Sequence, residues 1–142
     1  MKMKALSVRD PHARLITLGL KPVENRSRRT NFRGRVYIHV SKRFDLEGLE
    51  WILQNIAISD RIAFHAGKTW GSSLQGAIIG EVDIVDCLPL DIVLAHGCQE
   101  FKMWATGPWC WMLANAVLYE QPILGVKGKL GFFEPEFEKV TV

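Results

Sequence analysis

The stretch from Gly19 to Arg35, Gly-Leu-Lys-Pro-Val-Glu-Asn-Arg-Ser-Arg-Arg-Thr-Asn-Phe-Arg-Gly-Arg, carries six basic residues and one acid in seventeen positions. Charge at that density does not enter an apolar interior unpaired. It has to lie at a surface or at the mouth of a cleft, held there by its neighbours. A short helical pattern precedes it and a short strand pattern follows, so it is neither a tail nor the solvated face of a helix. The expected arrangement is an anion-binding mouth built by this segment, on a floor supplied by the rest of the chain.

The net charge of +3 conceals an uneven distribution. Residues 1–43 hold twelve Lys/Arg and two Asp/Glu, whereas residues 44–142 hold six and thirteen. A basic third gathered on one face attracts polyanions whatever the total. Scattered and neutralised by the acidic remainder, the same charges would not, and composition leaves both arrangements open. With 142 residues, 48% of them hydrophobic, the chain suits one domain spanning 1–142. No apolar run approaches the roughly 18–20 residues that span a membrane, and the N-terminus lacks the apolar core of a signal peptide. A cytoplasmic protein with no membrane partner is expected. Cys87, Cys98 and Cys110 form no Cys-x-x-Cys, and His12, His39, His65 and His96 are scattered. Reduced thiols are expected, with no metal and no cofactor.

Lys4–Arg9 reads as a strand. Asp10 then caps a helix over Pro11–Leu18 that stops at Gly19. Pro22–Ser27 reads as a second strand and Asn31–Gly34 as a turn. Arg35–Ser41 is a strand with Val36, Ile38 and Val40 on one face and Tyr37 and His39 on the other. Asp45 caps a helix in which Leu46, Leu49, Ile52, Leu53 and Ile56 recur at helical spacing. Arg61–His65 is a strand leading into the loop Ala66–Ser73. Gly76–Cys87 is a long β segment in which Gly80 marks a bulge or close packing. Residues 88–108 are a loop with a weak helix near Val93–Met103. Trp109–Tyr119 reads as a strand, and Val126–Phe133 closes the chain with another. Several short strands, two or three helices and no βαβ rhythm predict an α+β fold: a small β-barrel or strongly bent sheet decorated by helices.

Lys21, Glu24 and Arg26 are the first candidates for chemistry. In an extended segment Glu24 and Arg26 share a face, and Lys21 sits at its start. A lysine beside a carboxylate can bind an anion, or act as a base if burial lowers its pKa. It can equally be a surface ion pair worth about 0–1 kcal/mol. Arg28, Arg29, Arg33 and Arg35 follow Arg26, and guanidinium forks fit phosphates. Their alternative role is solubility and pairing with the acidic remainder. Trp104, Trp109 and Trp111 fall within eight residues. Trp109 and Trp111 share a strand face, which suits core burial, while Trp70, beside Gly71, Ser72 and Ser73, is the candidate exposed ring for base stacking. Gly67-Lys-Thr69 is no Walker loop, because Ile62 stands where that pattern needs glycine.

Three blocks together resemble one family: Leu6-Ser-Val-Arg-Asp-Pro-His-Ala13, Gly19-Leu-Lys-Pro-Val-Glu-Asn-Arg-Ser27 and Arg33-Gly-Arg-Val-Tyr-Ile-His39. With Gly76-Ala-Ile-Ile-Gly-Glu-Val82, Gly107-Pro-Trp-Cys-Trp-Met-Leu113, Pro122 and Lys127-Gly-Lys-Leu-Gly131, they make the chain similar to an ASCH domain. The resemblance implies a PUA-like β-barrel with a cleft lined by the Gly-x-Lys-x-Val-Glu-x-Arg block. It implies nucleic-acid binding, mostly of RNA, with one member type linked to transcription coactivation and DNA. A related bacterial branch hydrolyses N4-acetylcytidine with a lysine, a threonine and a glutamate, and another type is a metal-dependent ribonuclease. On that basis Lys21, Glu24 and Arg26 would line the cleft, and Arg9 and His12 would join them in contacting the nucleic acid. Arg28, Arg29, Arg33, Arg35 and Trp70 would complete the nucleic-acid contacts, and Lys21 and Glu24 would be catalytic if the protein is an enzyme. His12 stands where the family often has tryptophan, and Glu24 stands at the position of the amidohydrolase threonine.

Overall fold

Six strands pair into one sheet in the computed structural model, which describes residues 2–57 and 74–137. The elements are β1 (Ala5–Asp10), α1 (His12–Thr17), β2 (Val23–Arg26), β3 (Gly34–Phe44), α2 (Leu46–Asn55), β4 (Ile78–Pro89), α3 (Leu90–His96), α4 (Gln99–Lys102), β5 (Trp109–Ile123) and β6 (Phe132–Phe133). The strand order is β2-β5-β4-β3-β1-β6. β1 and β3 pair in parallel, and the other pairs are antiparallel.

The expected faces of β3 are borne out. Val36, Ile38 and Val40 join Leu6, Val8 and Ile16 in the main core, while Tyr37 packs on the other side with Ala5 and Phe133. Asp45 caps α2 as expected, whereas the N-cap of α1 is Pro11, and Asp10 one residue earlier still reaches a first-turn N–H. The Asp10 carboxylate accepts the Arg14 backbone N–H at 3.2 Å, and Asp45 accepts that of Gly48 at 3.0 Å. The three cysteines are free, Cys87 and Cys110 buried and Cys98 exposed. No helix among the described residues is long and apolar enough to cross a membrane.

The α+β class holds, but among the described residues the sheet is open, with β2 and β6 as its edges. This corrects the expectation of a closed small β-barrel toward its alternative, a strongly bent sheet. β2 and β1 are four places apart in the order, about 19 Å in a flat sheet at roughly 4.8 Å per strand. Yet Arg26 of β2 donates from Nη2 to the Ser7 carbonyl of β1 at 2.7 Å. Likewise the Trp111 ring of β5 stacks on Phe132 of β6, with centroids 5.4 Å apart and planes at 15°. The sheet therefore curls until its two ends face each other, and side chains close the seam. Ladder bonds do not, because β2 has four residues after a proline without an N–H, and β6 has two.

Three local expectations change. The weak helix at Val93–Met103 is two helices, α3 and α4, separated at Gly97 and Cys98, which brings the helices to four among the described residues. Only Phe132–Phe133 of the closing strand is paired. Trp111 is buried, but Trp109 is only partly so, packed against the edge of the main core. The strand at Arg61–His65 and the loop Ala66–Ser73, with Trp70, lie outside the described residues.

Gly80 sits where the β4–β5 register shifts, and it sits in close packing. A Cβ there would lie 2.1 Å from the Val117 carbonyl oxygen and 2.8 Å from Thr17 Cγ2 of α1. Gly80 thus lets α1 and β5 approach β4 together. Gly80→Ala is expected to destabilise the fold by about 2 kcal/mol or more, since overpacking against backbone leaves nothing soft to yield. Urea denaturation checks this as a lower midpoint at an unchanged slope.

Candidate functional site

The site begins where α1 ends. Gly19 takes φ 79°, and the N–H groups of Leu20 and Lys21 both donate to the Leu15 carbonyl, at 3.0 and 3.1 Å. This turns the chain back along the helix and carries Lys21 to His12, the first residue of α1. β2 then runs along β5, with Glu24 opposite Trp111 and Arg26 opposite Trp109. Asn25, between them on the other face of the pleat, donates to the Trp104 carbonyl at 2.9 Å. Its oxygen accepts the N–H groups of Thr106 and Gly107, both at 2.9 Å. Asn25 so fixes the segment that carries Trp104.

A cleft of about 980 Å³ opens over these residues. Lys21 and Glu24, only 4% and 7% exposed, form its floor. The Lys21 amine meets His12 Nδ1 at 2.8 Å, and His12 Nε2 meets the Asp45 carboxylate at 2.7 Å. A carboxylate only accepts, so Nε2 carries the ring proton and Nδ1 is left to accept from Lys21. On the other side Glu24 Oε2 takes Arg26 Nε at 2.9 Å and Nη2 at 2.8 Å. The Arg26 guanidinium lies 5.6 Å from the centre of the Trp111 ring, and the Lys21 amine 5.9 Å from that of Trp104. Both are cation–π distances.

Burial, first, lowers the pKa of Lys21 below the ordinary 10.5, and Arg26 adds to it, while Glu24 and Asp45 oppose. His12 is lowered from 6.5, again mainly by burial and then by the Lys21 charge, which together outweigh Asp45 and Glu24. The His12 hydrogen bond and the Gly48 N–H hold Asp45 below its usual 3.8. The His12 and Asp45 directions agree on a neutral imidazole facing a carboxylate.

The rim is basic. Arg9, Lys42, Arg43 and Lys129 line it, with Trp51, Trp104 and Leu130 as apolar surface. Trp51 packs on Trp104, ring centroids 5.3 Å apart, and is 40% exposed. Among the described residues no group of three or more His, Cys, Asp or Glu is placed to hold a metal ion. The family model for the ASCH domain matches residues 6–123. The chain belongs to the ASCH domain family. The comparison with curated proteins found no match.

In this ASCH domain Arg9, His12, Lys21, Glu24 and Arg26 all line the one cleft. Lys21 and Glu24 do not pair directly: Lys21 bonds His12, and Glu24 bonds Arg26. The arginines after Arg26 divide. Arg28 and Arg29 are exposed just beyond Ser27 at the lip of the cleft, where the Trp111 indole N–H fixes the Arg28 carbonyl at 3.0 Å. Arg33 pairs with Asp86 at 3.4 Å, and Arg35 with Asp83 at 3.0 Å and with Glu81, outside the cleft. Arg33 and Arg35 thus follow the pairing alternative.

Asp45, Gly48, Lys42, Arg43, Trp51 and Lys129 are site residues that sequence reasoning missed. A signal existed only for the first two. Asp45 was visible as a helix cap, and a glycine three residues into the helix asks for a reason, given its cost of about 1 kcal/mol there.

The pKa directions set the pH response of stability. His12 binds its proton less tightly folded than unfolded, so the unfolded chain holds more protons below 6.5 and stability falls as pH falls through that window. Lys21 acts in the same sense in the alkaline range, where stability rises with pH toward 10.5. Asp45 contributes stability above 3.8 that is lost only in stronger acid. Urea midpoints of the wild type should therefore drop between about pH 7 and pH 5, and His12→Gln should flatten that limb. A limb of equal steepness in the variant would contradict the assignment.

Proposed function

We propose that this ASCH domain binds single-stranded RNA, with phosphates on the basic rim and an unstacked base in the cleft. The observation that carries the reading is the arrangement of four cations, Arg9, Lys42, Arg43 and Lys129, around a cleft with the exposed Trp51 ring on its wall. Its volume, about 980 Å³, has room for a nucleotide. Arg28 and Arg29 extend the basic surface past the lip, and Trp70 is a further proposed contact. Rings that stack on bases tolerate many sequences, so affinity is expected to exceed specificity.

Fluorescence anisotropy with labelled single-stranded RNA tests this. Four phosphate contacts give a slope of about −3 in log K against log salt, at roughly −0.7 per contact. Lys42→Ala/Arg43→Ala should reduce it by about 1.4, and Trp51→Ala should weaken binding by about 1–3 kcal/mol with little change in slope. Absence of binding at low salt would sink the reading, as would affinity indifferent to both variants.

A second reading has its own observation: the buried amine of Lys21 beside the Glu24–Arg26 pair and in contact with His12. It is hydrolysis of an acylated nucleoside such as N4-acetylcytidine, with Lys21 and Glu24 as the candidate catalytic residues. Metal-assisted RNA cleavage, also implied by the family resemblance, has no such observation behind it. The departure at Glu24 from the amidohydrolase threonine leaves the proton chemistry to Lys21 and its neighbours. Liquid chromatography of an N4-acetylcytidine incubation reads the outcome directly: cytidine and acetate with the wild type, and a rate at least about a hundredfold lower with Lys21→Ala, in line with loss of a general base. Turnover that survives Lys21→Ala would end it.

A further inference from the structure

Three titratable side chains from three parts of the chain stand in a row at the cleft floor. Lys21 follows α1, His12 opens it, and Asp45 precedes α2, linked by contacts of 2.8 and 2.7 Å. Exposure rises along the row: Lys21 is 4% exposed, and the side chains of His12 and Asp45 are 22% and 31% exposed. A group that can lose a proton, a base within hydrogen-bond reach and a third group that orients the base are the geometric signature of an activated nucleophile or base. A solvated ion pair would need none of the space that this row is given. A Cβ at residue 48 would lie 2.5 Å from Asp45 Oδ2 and 2.8 Å from His12 Nε2. Gly48 therefore clears the position where the two meet, inside a helix where glycine is disfavoured.

We propose that Lys21, His12 and Asp45 form a triad in which His12, oriented by Asp45, takes a proton from Lys21 and so makes the Lys21 amine a general base toward a ligand in the cleft. The proposal rests on the hydrolytic reading above. Lys21 as an ammonium has no lone pair to offer. When one Nζ–H bond breaks and a proton forms a bond to His12 Nδ1, the electron pair stays on Nζ and the imidazolium is held by the Asp45 carboxylate. The Nζ pair can then accept a proton from water as the water oxygen bonds to the acyl carbon. As the tetrahedral adduct collapses, Lys21 returns that proton to the departing nitrogen and His12 returns its own to Lys21. The elements of water end in the acid and the amine, and the three side chains end as they began. Lys21 is the catalytic residue of this step, and His12 and Asp45 position and relay.

Other charges face the row and contribute to its titration. Glu24 and Arg26 face it from β2, Arg9 faces Asp45 from β1, and Lys42 and Arg43 at the end of β3 line the same cleft. Burial lowers the pKa of Lys21 from its ordinary value, which lessens the cost of giving up its proton. Asp45→Asn keeps an oxygen that accepts from Nε2 but removes the charge that steadies the imidazolium. Gly48→Ala keeps all three groups and disturbs only their meeting point.

Two measurements on the full chain separate this proposal from the reading beneath it. The first is ¹⁵N NMR of the ligand-free protein. The wild type should carry the His12 ring proton on Nε2 and show a Lys21 amine signal that exchanges slowly with water. Gly48→Ala should speed that exchange about tenfold. A ring proton on Nδ1, or a Lys21 signal unmoved by Gly48→Ala, overturns the triad whatever the protein catalyses. The second is the pH profile of N4-acetylcytidine hydrolysis. Asp45→Asn and His12→Gln should lower kcat about tenfold or more with KM within about twofold, and should shift the acid limb. Wild-type hydrolysis that both variants leave intact overturns the triad alone. No wild-type hydrolysis, with the NMR signature present, overturns the hydrolytic reading and with it the base role.

Discussion

The structure depends on closing a sheet whose two edge strands are too short to pair. Arg26 does much of that closing. Its guanidinium takes the Glu24 carboxylate on its own strand, the Ser7 carbonyl across the seam and the face of Trp111 beneath it. Each contact answers a different need. The carboxylate neutralises a half-buried cation, the carbonyl would otherwise be an unpaired acceptor on a strand edge, and the indole covers the planar guanidinium face. Lysine has neither the fork nor the plane to do all three at once. Because the clasp is polar, the seam it closes is also the wall of a polar cleft, so fold and site share one side chain.

Lys21 poses the converse problem, a cation drawn inward by the chain reversal at Gly19. A buried amine costs several kcal/mol unless its protons are used. Here one goes to His12, the Trp104 ring stands near the amine, and Glu24 and Asp45 supply opposite charge at short range. The compensation is incomplete, which is why burial still dominates the direction of its pKa. An amine left with incomplete compensation at a cleft floor is open to a further partner. A fully satisfied lysine would be inert, and an unsatisfied one would not stay buried.

How much of this was legible in the sequence followed the range of the interactions. Val36 to Val40 alternate because a strand pleat alternates, and Asp45 caps because a helix start leaves N–H groups open, so both were readable locally. The two-residue spacing of Glu24 and Arg26 fixed their common face. Barrel closure was not readable, since it turns on whether short strands meet across a seam. Nor was the rim: Lys42, Arg43 and Lys129 reach the cleft only through the curl of the sheet. The antiparallel pairing of β3 with β4, with Arg35 opposite Asp83, takes Arg33 and Arg35 to Asp86, Glu81 and Asp83, although they are neighbours of Arg28 and Arg29 in sequence. His12 was noted for its position in the family pattern, but its partners lie nine and thirty-three residues away.

The basic excess of the first third of the chain thus resolves into groups with different tasks. Arg14, Arg33 and Arg35 meet acids of the scaffold. Lys21 and Arg26 are set among Glu24, Asp45 and a neutral imidazole, so the floor of the cleft carries about as much negative as positive charge. Arg9, Lys42 and Arg43, joined by Lys129, leave the rim positive. A phosphate pushed to the floor would meet two carboxylates, whereas a neutral group rich in donors and acceptors would find partners of both kinds. At the rim the preference reverses. A ligand with an anionic backbone and an uncharged polar ring matches both levels of this field, and an anion alone matches only the upper one.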